Sequence, residues 1–219
     1  MYFKVLFMTN ELEQLKEIKS MMEKSSRFIS LSGWSGVAAG TAALIGAALA
    51  YPYVDVSEQE TLRGIYRREG YDAVTDYFFH PLTYIALGTF FIAMISAFIF
   101  TYIKSQKQKI NIWGSMARKA AFHFLVPFVS GTVFILYLIA NQDFIYIAPL
   151  SLIVYGISLF SVYKFTIHET LYLALALISL GLANLLFSGY SFIFWIAGFG
   201  ISHIVYGIYM WYKYDRKVN

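Results

Sequence analysis

The sequence predicts an all-α polytopic membrane protein with six transmembrane helices arranged as three antiparallel hairpins. An N-terminal amphipathic helix and a short extracytoplasmic surface helix complete the expected architecture. Three observations predict this. The chain is 58% hydrophobic and only 14% charged over 219 residues, an imbalance that a soluble core of this size could not hide from water. Apolar runs near the ~20 residues needed to span a bilayer recur along the chain. Aromatic residues make up 19% of it and gather near the ends of those runs, where amphipathic rings sit at headgroup level.

In chain order, Met1 to Phe7 is too short an apolar run for a cleavable signal peptide, so none is expected. From Asn10 to Arg27, Leu12, Leu15, Ile18 and Met22 fall at helical spacings on one face. Asn10 with Glu13 resembles a capping box, and the segment reads as a helix on the cytoplasmic surface, residues 1–27 forming that unit. The first crossing is 28–51, closed by Pro52, and its small residues Ser32, Gly36 and Gly40 share one face with Ala43 and Ala47. Small residues let two helix backbones approach closely, so this is read as a packing face. Between Val54 and Phe79 a capping box at Ser57 and Glu60 opens a surface helix over 58–69, carrying Arg63, Arg67 and Arg68.

The remaining crossings are 81–103, 120–140, 144–163, 170–187 and 191–214, within a transmembrane domain over 28–214. Pro127 interrupts the third and is expected to kink it. Lys104, Lys107, Lys109, Arg118 and Lys119 form a basic connection over 104–119 suited to anionic lipid headgroups. Residues 215–219 are read as a basic cytoplasmic tail. With the N-terminus inside, fourteen of the 17 lysines and arginines lie on inner segments and only Arg63, Arg67 and Arg68 outside. The positive-inside rule then places both termini in the cytoplasm.

One internal echo stands out. Ser151-Leu-Ile-Val-Tyr-Gly-Ile157 in the fourth crossing matches Ser202-His-Ile-Val-Tyr-Gly-Ile208 in the sixth at all but one position. Two readings are open: a duplicated helical hairpin, as in membrane carriers, or coincidence within the few letters of apolar sequence.

The stretches SMMEKSSRFISLSGWSGVAAG (Ser20 to Gly40) and FWIAGFGISHIVYGIYMWYKYDRK (Phe194 to Lys217) resemble the two ends of a family of small, uncharacterised six-helix bacterial inner-membrane proteins. The resemblance covers the chain from about Glu11. It implies the topology and the bacterial inner (cytoplasmic) membrane, and it assigns no catalytic residue.

The search for chemistry is mostly one of exclusions. Without cysteine there is no disulfide, thiolate catalysis or Cys-ligated metal. His168-Glu169 begins like a zinc-protease motif, but Tyr172 stands where the second histidine belongs. No phosphate loop and no nucleophile elbow occurs. Apart from Lys213, at the inner edge of the sixth crossing, no charged residue falls inside a predicted crossing, which argues against ion-coupled transport.

What remains is a set of intramembrane polar residues, His203, Asn184, Ser151 and Ser202, with Gly200 and Gly207 flanking His203 as packing positions. As axial haem ligands, His203 and His123 differ in depth by one to two turns, about 7 Å. A hydrogen bond from His203 to a neighbouring helix is the simpler expectation, and no cofactor or metal is predicted.

Three readings of function follow. One is a non-enzymatic regulatory, sensory or assembly component, with a protein partner or a second copy on its surfaces. A passive channel or small-solute permeation protein is the second, and a haem- or metal-binding redox protein the third. The lipid bilayer is the expected surrounding, and no nucleic-acid partner is implied.

Overall fold

A computed structural model describes residues 32–54, 81–109, 112–141 and 143–216. The expected N-terminal helix, the start of the first crossing at 28–31 and the surface helix over 58–69 lie outside the described residues. Among the described residues every regular element is helical. We number them α1 (Gly33–Ala50), α2 (Pro81–Lys107), α3 (Ser115–Ala140), α4 (Ile147–Val162), α5 (Thr170–Leu186) and α6, the helical span Ser188–Asp215. Five of them (α1 and α4 counted with their 3-10 turns) are long and apolar enough to cross a membrane. The sixth, α5, is apolar but has 17 residues, about 26 Å at 1.5 Å per residue. One face of it is buried, with Leu173, Ala174, Leu177, Gly181 and Asn184 all inside the bundle.

Several boundaries differ from the sequence expectation. α2 continues one turn past Ile103, because Lys104 and Lys107 complement the negative end of the helix dipole. It stops where Lys109 takes a left-handed backbone, φ 53°. α3 starts at Ser115 and not at 120, so Arg118 and Lys119 ride on helix and the basic connection is far shorter than 104–119. Pro127 lies inside this helix, as expected. Pro52 lies within a 3-10 turn, Tyr51–Tyr53, that prolongs α1. Asp215 is part of the last helical turn and not of a free tail.

α6 is not a uniform α-helix either. π-helical turns occupy Ile196–Ser202 and Trp211–Asp215. Side chains explain the first. Ser202 Oγ donates to the Ala197 carbonyl at 2.8 Å, and the His203 ring reaches the Gly198 carbonyl at 3.0 Å, both five residues back. Such bonds stabilise the wider i→i+5 turn.

The core forms where Leu152 of α4 meets Leu173 and Leu177 of α5, flanked by Tyr155, Leu159, Phe194, Phe199 and Tyr206. On the other side α6 packs against α1, which in turn packs against α2. α3 lies outside α4 and touches α2 through stacked rings, Phe90 and Phe128, with centroids 6.2 Å apart.

The α1–α6 interface is backbone against backbone. A methyl group at Gly36 would sit 2.9 Å from the Gly207 Cα, and one at Gly40 would sit 2.6 Å from the Gly200 carbonyl oxygen. Gly33 meets Trp211 in the same way. A leucine at 36 therefore forces the helices apart. Gly36→Leu is expected to cost about 3 kcal/mol or more in a melting experiment on the purified protein in detergent. Ala48→Leu, on the exposed face of the same helix, should melt like the parent. Equal melting of the two variants would show that the interface has been misread.

Candidate functional site

The polar groups worth considering lie on α6, whose residues fall on two faces. Gly200, Ile204, Gly207, Trp211 and Asp215 follow one face toward α1. His203, Tyr206 and Lys213 follow the other, toward α4 and the start of α5, with buried Met210 at the intervening spacing.

His203 is 6% exposed. Its Nδ1 faces the Gly198 carbonyl and its Nε2 lies 3.3 Å from the Tyr155 hydroxyl of α4. A carbonyl only accepts, so in the neutral ring Nδ1–H donates and Nε2 accepts from Tyr155. Tyr155 and Phe199 stack beside the imidazole, with centroids 5.5 and 6.1 Å away. Both ring nitrogens are thus engaged by protein atoms. His123 is exposed and stacks on Phe165 of the α4–α5 connection at 4.7 Å. Each histidine has its own aromatic partners, Phe165 for His123 and Tyr155 with Phe199 for His203.

The other polar positions are local. Ser151 Oγ donates to the Ala148 carbonyl at 2.7 Å, and Ser202 bonds within α6 as described. Asn184 is fully buried at the opposite end of the bundle; its Oδ1 accepts from Ser191 Oγ at 2.9 Å, while its Nδ2 has no partner among the described residues. Ser32 is not simply a small packing residue. It is the N-cap of α1, with its Oγ 3.4 Å from Asp215 Oδ2.

Sequence reasoning missed two ionic clusters at the end of the bundle where α6 finishes. In the first, Asp215 Oδ2 accepts the Gly33 backbone N–H at 2.8 Å, so a carboxylate from α6 caps the start of α1. Its Oδ1 pairs with Lys104 at the end of α2, at 2.7 Å. Both side chains are nearly buried, 12% and 11% exposed.

In the second, Glu169, just before α5, is 4% exposed. Its Oε1 accepts from Lys213 Nζ and, at 2.9 Å, from the Tyr214 hydroxyl. Its Oε2 has no partner among the described residues. Nearby, Tyr206 OH lies 3.2 Å from Thr170 Oγ1, which receives Thr166 Oγ1 at 3.3 Å. These contacts gather the starts of α1 and α5 and the ends of α2 and α6 at one end of the bundle.

Two signals pointed there. Lys213 is the lone cation in the sixth crossing, so an acidic partner was owed to it. Tyr155 and Tyr206 hold the same place in the two copies of the echoed heptapeptide, and both turn inward to bond a residue of another helix. Glycines following them, Gly156 and Gly207, approach α5 and α1 respectively.

Chemically, the second cluster is an anchored carboxylate. Burial pushes the Glu169 carboxyl up, but hydrogen bonds from Lys213, its own backbone and Tyr214, with the lysine charge, outweigh that and hold it below the usual glutamate value. A lowered folded-state pKa means the stabilisation is complete above the unfolded value and disappears as pH falls through the folded one. The melting temperature of the parent should fall on acidification below about pH 4.3, the ordinary glutamate range. Glu169→Gln should melt lower at neutral pH and lose less on acidification. Parallel pH profiles for the two proteins would remove Glu169 as the cause.

For His203, the expected order of stability is parent, then His203→Gln, then His203→Leu. An amide can replace one imidazole hydrogen bond, whereas leucine leaves the Tyr155 hydroxyl unpaired at a cost of about 0.6–1.7 kcal/mol. Thermal melts would check this, and a leucine variant as stable as the parent would show that the bond contributes nothing.

Compared with protein families, with characterised proteins and with solved structures, the chain shows no match.

Proposed function

We propose that this chain is a six-span integral protein of the bacterial inner membrane, with both termini in the cytoplasm, that works as a non-enzymatic regulatory, sensory or assembly component. The observation that carries the reading is the double clamp at the end of α6. Asp215 ties it to α1 and α2, and Lys213 ties it to the start of α5. A charge or a pull arriving at that end is felt by both halves of the bundle. This arrangement suits a protein that passes on the state of a partner or of the bilayer.

The placement in the membrane rests on the five long apolar helices with apolar α5 beside them, on the inside bias of the cations, and on the resemblance to small six-helix inner-membrane proteins. Positive charge gathers at the clamped end too, where Lys104, Lys107 and Lys213 lie. A permeation pathway has one observation in its favour, the run of polar side chains His203, Tyr155, Tyr206 and Thr170 between α4, α5 and α6.

The full chain, purified with native lipid, tests the reading. A stoichiometric partner chain, a flat visible-region spectrum and no solute flux in proteoliposomes are expected. Flux abolished by substitution of Tyr206 would favour permeation, and a Soret band lost in His203→Leu would make the protein a haem carrier. Reporter fusions after Asn219 and between 54 and 79 should fall on opposite sides of the membrane; a periplasmic C-terminus would overturn the topology.

A further inference from the structure

Between the start of α1 and the ends of α2 and α6 lies a cleft of about 230 Å³. One wall is apolar, made by Phe100 and Ile103 of α2 with Trp34 and Trp211, whose rings meet edge to face at 6.2 Å. The other wall is basic, with Lys104 and Lys107 one turn apart on α2. Asp215 also lines the cleft, but its carboxylate is committed to Lys104 and to the Gly33 N–H, so Lys107 is the cation it does not neutralise.

The volume suits a phosphate-bearing headgroup; the glycerol and acyl chains of a lipid would run down the exposed faces of Phe100 and Ile103. Paired tryptophans are the side chains that favour the headgroup level. We propose that this cleft binds the headgroup of one anionic phospholipid, its phosphate facing Lys107 and its upper acyl chains lying against Phe100, Ile103 and Trp34. The site rests on the membrane reading above and deepens it. Because Asp215 is both a wall of this cleft and the clamp on α1, an occupied site braces the end of α6 from outside, and lipid composition becomes an input to the bundle.

The test uses the full chain in nanodiscs containing equal parts of phosphatidylglycerol and phosphatidylcholine, released into native mass spectrometry. The parent should carry phosphatidylglycerol in preference. Lys107→Gln removes one cation from the surface and should cut that retention about fivefold. Lys107→Glu should abolish the preference. Lys164→Gln, an exposed cation on the α4–α5 connection, should leave it intact.

Lys107 sits exposed on the last turn of α2, so melting of each variant is expected to match the parent and separates lost binding from lost fold. A photocrosslinker replacing Ile103 should capture lipid. Equal retention in the parent and Lys107→Gln, or equal loss in Lys164→Gln, would overturn the site, the second outcome reducing it to general surface charge. Capture of residues 1–31 at position 103 would show that the chain's own N-terminal segment fills the cleft. Solute flux or a Soret band bears on the functional reading alone, so the two proposals fail separately.

Discussion

The bundle depends on the close approach of α1 and α6. Their glycines remove the side chains that normally keep helix axes 8–10 Å apart, so backbone atoms meet directly. Four glycines in an 18-residue helix lower its intrinsic stability. α1 is therefore a helix that packing must hold, and α6 supplies the packing. The rest of the arrangement answers to that contact. Register between the two helices sets Asp215 beside the first N–H of α1, and from there Lys104 of α2 completes the ion pair.

On its other face α6 is specified by polar atoms. The His203–Tyr155 bond sits near the middle, the Tyr206–Thr170 bond a turn further on, and the Glu169–Lys213–Tyr214 group at the end. Apolar packing alone tolerates rotation and sliding, whereas buried hydrogen bonds have one geometry and leave costly orphans when shifted. The π turn over Ile196–Ser202 belongs to the same device. It widens the helix where His203 and Ser202 bond back to carbonyls, and it lets one helix satisfy two differently spaced neighbours.

The clamped end also links structure to the proposed function. Neither ion pair is sealed in the core. The Lys213 side chain is 45% exposed while its partner Glu169 is buried, and the Lys104–Asp215 pair forms a wall of an open cleft. Charges in that position are exposed to headgroups and salt while still bearing on buried carboxylates, so among the described residues this end is one where the surroundings reach the contacts that hold α1, α2 and α5 to α6.

Helical class, the apolar spans, the glycine face of α1 and the special place of His203 were all legible in the sequence, because composition and three-to-four-residue spacing report directly on which solvent and which face a helix meets. Helix ends were less legible: Lys104, Arg118 and Lys119 read as loop because charge marks a polar environment without saying whether the backbone there is coiled. The ionic clusters were legible only in outline: Lys213 as a lone cation called for an acidic partner, but nothing in the sequence said which one. Glu169 looked like part of a connection and Asp215 like part of a tail, since their partners lie 44 and 111 residues away in Lys213 and Lys104. Local sequence determined that this chain forms apolar helices with one close-packing face. Which helices meet, and therefore which charges are buried and capped, only the tertiary structure decided, because pairing across such distances depends on the register of packed surfaces and leaves no periodicity in the chain.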